Sequence, residues 1–428
     1  MKVKIRNVAK ILKADIEIDG ITIIAGNNNT GKSTVGKILD AVFNAAYNMD
    51  EKMNKARIDS LAFMLRREVE DNFLDKTNGR IRHMSFYREF ASDLLECKEE
   101  KREELCRNYG EQMRFPQGRK KDFPEKMLGH LEENKQISDA TLSKNIYTNY
   151  FWESFHEQIN SLYHQDTSAE IELSIKGKKL RLVFCGDECI EETRELKIFN
   201  TSLYIDDPFV LDEMNNTSVL GISDLPIHKR NILKKLMQKE EKAVEEKAFS
   251  ELLVANKLED IIKIINRVAA GKITKKQKYV YQLPEDASKD IDVASLSTGL
   301  KAFLILKQLL VNGTLQDKDV IVLDEPEIHL HPEWQLLYAE IIVLLQKKFN
   351  YHIVVTTHSA HFMEALELYS KKYGIAEKCH YYLANLQDDG AVFENVTQNI
   401  NKIYKQMVDP TLLLSQLREE LETEDDKL

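Results

Sequence analysis

The chain has 428 residues, 43% hydrophobic and 30% charged, with five cysteines and a formal net charge of −10. This length and composition describe a soluble globular protein of two or three domains, or one domain with large insertions. No apolar run approaches the ~18 residues of a transmembrane helix, and Met1-Lys2-Val3-Lys4-Ile5-Arg6 lacks the apolar stretch of a signal peptide. The acidic balance argues against a surface uniformly coated for nucleic acid, though it leaves room for a local basic groove. Cys97, Cys106, Cys185, Cys189 and Cys379 are scattered, which predicts reduced thiols in a cytoplasm. Cys185 and Cys189 are one residue too far apart for a CxxC pair, so no metal is expected there.

Residues 2–25 read as a small β unit: Val3 to Val8, Ala14 to Ile18, then Ile21-Thr22-Ile23-Ile24-Ala25. Asp19-Gly20 predicts a hairpin between the last two strands. The third strand runs into Gly26-Asn27-Asn28-Asn29-Thr30-Gly31-Lys32-Ser33-Thr34, and a helix follows to about Asn48. Strand, glycine loop and helix are the order a phosphate-binding P-loop requires. Gly26 and Gly31 let backbone N–H groups turn inward as an anion nest at the helix start. Lys32 is expected to reach the β- and γ-phosphates, and the Ser33 hydroxyl to ligate Mg²⁺. Asn27, Asn28, Asn29, Thr30, Gly31 and Thr34 make up the rest of the expected nucleotide-binding loop.

Residues 51–170 read as a helical insertion. Ile58, Leu61, Leu65 and Val69 share one helical face; Phe86, Phe90 and Leu94 form a second; Leu142, Ile146, Tyr150, Phe155, Ile159 and Leu162 suggest a third. Arg119-Lys120-Lys121 lies in a basic loop between them. β character returns with Ile171 to Ile175 and Leu180 to Phe184, around a Lys176-Gly177-Lys178-Lys179 turn, and with Ser202 to Ile205. Residues 215–271 form a second helical segment, with Ile232, Leu236, Ala243, Leu252, Leu253, Ile261 and Ile265 as apolar markers. It is too short for a long coiled-coil arm. The acidic run from Arg418 to Asp426 reads as a solvated tail.

Three later motifs complete a site. Asp319-Val320-Ile321-Val322-Leu323-Asp324-Glu325-Pro326 is a continuous apolar run, as in a buried parallel strand, ending in two carboxylates. Ligands bind beyond the carboxyl ends of such strands. Asp324 is placed to hold Mg²⁺ with Ser33, and Glu325 to polarise a water for attack on the γ-phosphate. Tyr351 to Ser359 is another β-branched strand, closing on His358, a candidate sensor of the γ-phosphate. Leu296-Ser297-Thr298-Gly299-Leu300-Lys301 opens an apolar helix; read alone it is a cap offering a hydroxyl and free N–H groups to an anion.

Glycine loop, Leu-Ser-x-Gly, Asp-Glu-Pro and Thr-His-Ser, in that order, resemble the ABC ATPase superfamily. Leu296-Ser297-Thr298-Gly299 is similar to its signature motif, with Thr298 where Gly is usual. Asp324-Glu325-Pro326-Glu327-Ile328-His329-Leu330-His331-Pro332 resembles the soluble, non-transporter branch. That branch includes OLD-type ATPases and the ATPase subunits of anti-phage systems such as Septu and PARIS. The resemblance implies an α/β fold: an ABC-type P-loop NTPase head, made of a β subdomain and a parallel sheet flanked by helices, with α-helical insertions. The head would comprise 1–50, 171–214 and 272–428. Two heads would sandwich two ATP molecules, each contacting Lys32, Ser33, Asp324, Glu325 and His358 of one copy and Ser297 and Gly299 of the other. His329 and His331 are expected to be structural. No glutamine loop is evident; Tyr204 to Phe209 is the plausible stretch, without a Gln. The remaining length leaves no room for a Toprim domain, so a nuclease effector, HNH or Toprim, would be a separate chain. The function expected is an ATP-hydrolysing sensor or scaffold in phage defence, with nucleic acid a candidate partner and no membrane. The other readings are a DNA-maintenance ATPase of RecF or SMC type, a transporter subunit, and a non-catalytic nucleotide-dependent scaffold.

Overall fold

The computed structural model describes residues 1–73, 82–113, 121–164, 166–216, 224–237, 257–285 and 289–407. The chain divides into two compact units: Met1–Tyr47 with Asn149–Leu428, and Asn48–Thr148.

The first unit is built on one mixed sheet in the order β6-β5-β4-β1-β2-β14-β13-β3-β12-β11-β7. Its parallel half contains β3 (Ile21–Gly26), β7 (Ser202–Ile205), β11 (Val320–Asp324), β12 (His352–Thr357) and β13 (Cys379–Gln387). These strands run parallel, with Ile353 opposite Ile21, Val320 opposite His352, and Ile205 opposite Leu323. Their runs of Val and Ile are buried on both faces, as parallel strands between helix layers require. Ile21, Ile23, Ile321, Leu323, Ile353 and Val355 share a core with the helices Thr298–Asn312, Pro332–Phe349 and Ala360–Lys372. On the opposite face α1 (Lys32–Ala46) lies close enough that a Cβ on Gly36 would sit 2.8 Å from both Tyr204 and Val322.

The other half is an antiparallel wing: β1 (Lys2–Val8), β2 (Ile11–Glu17), β4 (Ala169–Ile175), β5 (Lys178–Cys185) and β6 (Glu188–Arg194). Here one expectation is corrected. Asp19-Gly20 does not close a hairpin, because β2 pairs with β1 and β14 while β3 lies between β13 and β12. The glycine is needed for another reason. Gly20 has φ +67°, a Cβ there would lie 2.3 Å from the Lys378 carbonyl, and its own carbonyl accepts the Ile353 N–H at 2.8 Å. Beyond the expected strands, the fold contains β6, the β13–β14 hairpin (β14 Gly390–Asn395), and a small sheet of β8 (Lys272–Lys275), β9 (Tyr279–Gln282) and β10 (Asp290–Asp292).

Of the segment 215–271, the described parts are helices Ile227–Met237 and 257–266. Ala243, Leu252, Leu253, Arg119, Lys120 and the acidic tail lie outside the described residues.

The second unit is helical: Met49–Glu68, Met84–Glu96, Glu99–Gln112 and Phe123–Gln136, followed by the start of Asp139–Phe155. The first two apolar stripes supply its core, where Leu61, Leu65 and Val69 pack with Phe90, Leu94 and Met127. Phe90 stacks on Tyr109 at 4.3 Å, and the Tyr109 hydroxyl donates to Asp93 at 2.6 Å. No described helix is long and apolar enough to cross a membrane.

Candidate functional site

β3 ends at Gly26, where φ is 153° and a Cβ would meet the Ala384 carbonyl at 2.5 Å. The loop then turns through Asn29 (φ 68°) and Gly31 (φ 80°), the latter preceding the first turn of α1. Asn27, Asn28 and Asn29 are exposed, Thr30 is buried, and Ser33 and Thr34 sit half-buried in that first turn. The Thr30 hydroxyl donates to the Asn27 carbonyl at 2.9 Å, which braces the loop from inside. At Gly26 only glycine accepts both the dihedral and the closeness of Ala384 in β13.

Lys32 is 4% exposed, and its ammonium donates to the carbonyls of Gly26 (3.0 Å) and Asn27 (2.9 Å). It also lies 3.5 Å from Glu325 Oε1. Glu325 Oε1 is in turn 3.6 Å from His358 Nδ1. Three motifs, one of them some three hundred residues upstream of the other two, therefore meet at one carboxylate. Glu325 holds a left-handed backbone (φ 47°), stabilised by its N–H, which donates to the Thr356 carbonyl (3.1 Å) and hydroxyl (3.0 Å).

Asp324 is held at both oxygens. The Tyr204 hydroxyl donates to Oδ2 at 2.6 Å, and the Thr356 hydroxyl donates to Oδ1. Burial, and then the neighbouring Asp324 charge, push the Tyr204 phenol well above its ordinary range, so it stays a donor. Neither Tyr204 nor Thr356 stood out in the sequence as a site residue. Thr356, the first of two threonines before His358, and Tyr204, 120 residues before Asp324, carry no local signal.

Asp206 and Asp207, in the stretch considered for a glutamine loop, follow β7 and line a small pocket with Asp324, Glu325 and His329. Asp206 is half-buried, and its Oδ2 lies 3.1 Å from His228 Nε2. Burial alone would raise its pKa; the His228 contact outweighs this and holds the carboxyl below the usual range. Lys229 Nζ donates to Asp207 at 2.8 Å.

Ser297 is exposed and precedes the helix Thr298–Asn312. Gly299 is buried against its own chain: a Cβ would lie 3.0 Å from the His329 carbonyl and 3.1 Å from Trp334. Among the described residues, no hydrogen bond or ion pair joins Ser297 or Gly299 to Lys32 or Ser33. His329 packs edge-on against Phe209 at 5.9 Å, and the His331 carbonyl accepts from the N–H groups of Trp334 (2.8 Å) and Gln335 (3.0 Å) in the first turn of the helix that follows. Among the described residues, no cluster of three His, Cys, Asp or Glu side chains could hold a metal ion. Ser33 and Asp324 are hard oxygen donors, the set that suits Mg²⁺ when phosphate and water complete its shell. Two lysines of basic stretches elsewhere in the chain, Lys234-Lys235 and Lys272 to Lys278, are engaged within the fold: Lys235 donates to the Thr314 carbonyl at 2.9 Å and Lys276 pairs with Asp290 at 2.6 Å.

A glycine loop on a parallel sheet, with two carboxylates at the end of β11, one strand removed from β3, defines a P-loop nucleotide-binding ATPase fold. The chain belongs to the family described as AAA ATPase domain, which matches residues 1–363. The observed fold is the one expected, an α/β ATPase head with a large mixed sheet flanked by helices. Among solved structures, the chain is similar to the SMC head domain from Thermotoga maritima (11% identity, 92% of this chain and 98% of that chain, TM-score 0.36). It is also similar to an SMC head bound to the C-winged helix domain of ScpA (11%, 94% and 98%, TM-score 0.42). A third is an Smc head with an extended coiled coil, bound to the C-terminal domain of ScpA derived from Pyrococcus furiosus (12%, 95% and 98%, TM-score 0.38).

Proposed function

We propose that this ATPase works as a head-to-head dimer, with each ATP bound by one copy's loop and closed over by Ser297 and Gly299 of the other. The observation that carries the reading is the convergence of Lys32, Glu325 and His358, with Glu325 Oε1 3.5 Å from the lysine and 3.6 Å from the histidine. In it, Asn27 to Thr34 cradle the phosphates with backbone N–H groups, and Lys32 neutralises charge on the transferred group. Ser33 and Asp324 would hold Mg²⁺, which supplies electrostatic stabilisation of the phosphates when bound. Glu325 orients and deprotonates the attacking water, and His358 senses the γ-phosphate. The dimer is supported by the exposure of Ser297, which among the described residues forms no hydrogen bond with its own Lys32 loop.

In this reading hydrolysis serves as a conformational clock. It acts on a separate effector, a nuclease in anti-phage defence; support comes from the resemblance of Asp324 to Pro332 to the soluble ATPases of such systems. The test is to measure ATP hydrolysis for wild type and Lys32→Ala, and to identify the chain that co-purifies with each. A nuclease captured by wild type supports the reading. A DNA-maintenance partner or a permease in its place overturns the defence role, and equal hydrolysis by Lys32→Ala overturns the site.

A further inference from the structure

Glu327 is 2% exposed, yet it is an acid. Its Oε1 accepts the Thr357 hydroxyl at 2.5 Å and the His358 N–H at 3.2 Å, and lies 4.0 Å from His358 Nδ1. Its Oε2 has no hydrogen-bond partner among the described residues. A buried carboxyl with one oxygen unused is a poor structural element, since buried polar groups are normally satisfied and a partly satisfied one costs stability. Burial raises its pKa, opposed by the Thr357 and His358 contacts.

The surroundings of Glu327 make it a fixed point. Its carbonyl accepts from the Leu330 N–H (3.0 Å) and from Gln335 Nε2 (3.3 Å), and the Ile328 N–H binds the Glu325 carbonyl at 3.2 Å. Thr357 is fixed as well: its hydroxyl accepts the Ser359 N–H at 3.0 Å, and Ser359 caps the helix Ala360–Lys372 through the Phe362 N–H at 3.2 Å. The His358 ring, by contrast, is 43% exposed, and among the described residues the carboxylates within 4.0 Å of it are those of Glu325 and Glu327.

We propose that Glu327 is a positioning residue for hydrolysis: its Oε1, braced by Thr357, accepts the His358 main-chain N–H and so fixes the imidazole beside Glu325. The inference rests on reading Glu325 and His358 as hydrolytic residues. Small displacements of such groups cost large factors in rate, so the effect belongs on kcat and leaves nucleotide affinity alone.

The experiment compares Glu327→Leu, which removes the acceptor, with Glu327→Gln, which keeps it. Each is made in wild type and in His358→Ala, with kcat and the Kd of a fluorescent ATP analogue measured. The expected result is a kcat loss of about tenfold or more for Glu327→Leu, an unchanged Kd, near-normal rates for Glu327→Gln, and no further loss in the His358→Ala background. If Glu327→Leu does not fold, Thr357→Val against Thr357→Ser makes the same comparison. A normal kcat in Glu327→Leu, an equal loss in Glu327→Gln, or a loss that multiplies in full with His358→Ala overturns the proposal. Glu325→Gln and His358→Ala separate the two levels: if both hydrolyse like wild type, the hydrolytic reading fails first. If both are impaired while Glu327→Leu is normal, the positioning role alone fails.

Discussion

The ammonium of Lys32 lies 3.5 Å from the carboxylate of Glu325, although 293 positions separate them in the chain. Lys32 is almost fully buried and Glu325 is a quarter exposed, so the pair points from the loop's interior toward solvent. A buried ammonium needs compensating oxygens. Here it has the carbonyls of Gly26 and Asn27 as well as Glu325. The pair divides binding from hydrolysis, and the two substitutions separate them.

Lys32→Ala is expected to abolish nucleotide binding, and Glu325→Gln to retain binding while hydrolysis falls by about 10²–10⁴. Equilibrium binding of a fluorescent ATP analogue beside a phosphate-release assay checks both. Comparable hydrolysis by Glu325→Gln and wild type would remove Glu325 from the role of base.

Tyr204 secures Asp324 at 2.6 Å. Tyr204→Phe leaves the ring in place and removes the donor, so the Mg²⁺ concentration for half-maximal hydrolysis should rise about tenfold, as for other residues behind a metal ligand. A Mg²⁺ titration reads this directly, and an unchanged midpoint would mean Asp324 needs no such support.

Gly36 offers a packing test of the same contact. Gly36→Ala forces a methyl to 2.8 Å from Tyr204 and Val322, at a cost of about 1–3 kcal/mol for overpacking. The melting temperature should fall, and the Mg²⁺ midpoint should move in the same direction as in Tyr204→Phe. A melting temperature equal to wild type would contradict the closeness of α1 to the sheet.

Asp40, in α1, is buried, and desolvation pushes its carboxyl up from 3.8 to about 8. The folded state therefore favours the protonated acid. Its stabilising contribution is complete below pH about 4 and is lost progressively until pH about 8. Asp40→Asn should melt higher than wild type by a margin that grows from pH 5 to pH 9. A margin independent of pH would show that Asp40 is ionised in the folded protein.

Much of the nucleotide loop was legible from Gly26 to Thr34 because its information is local: glycines at forced dihedrals between an apolar strand and an apolar helix. The strands ending at Asp324 and Thr357 were legible for a similar reason, as continuous β-branched runs. Long-range relations were not. Asp19-Gly20 has the chemistry of a hairpin, but pairing is decided by β13 and β14, which come more than 350 residues later. The short strand Lys272–Lys275 and the turn after it look like a basic run because Lys272, Lys275, Lys276 and Lys278 crowd together there, which masks the β character of both it and Tyr279–Gln282. Tyr204, Thr356 and Glu327 are ordinary residues in sequence and gain meaning only from the carboxylate or amide each one meets.

The proposed sharing of the site between two copies is tested most directly by the mass of Glu325→Gln in solution, measured by light scattering with and without ATP and Mg²⁺. A doubling of mass that requires ATP, and that Ser297→Arg or Lys32→Ala abolishes, is the result expected. A protein that binds ATP to saturation and remains a monomer would contradict a site completed by Ser297 and Gly299 of a second copy.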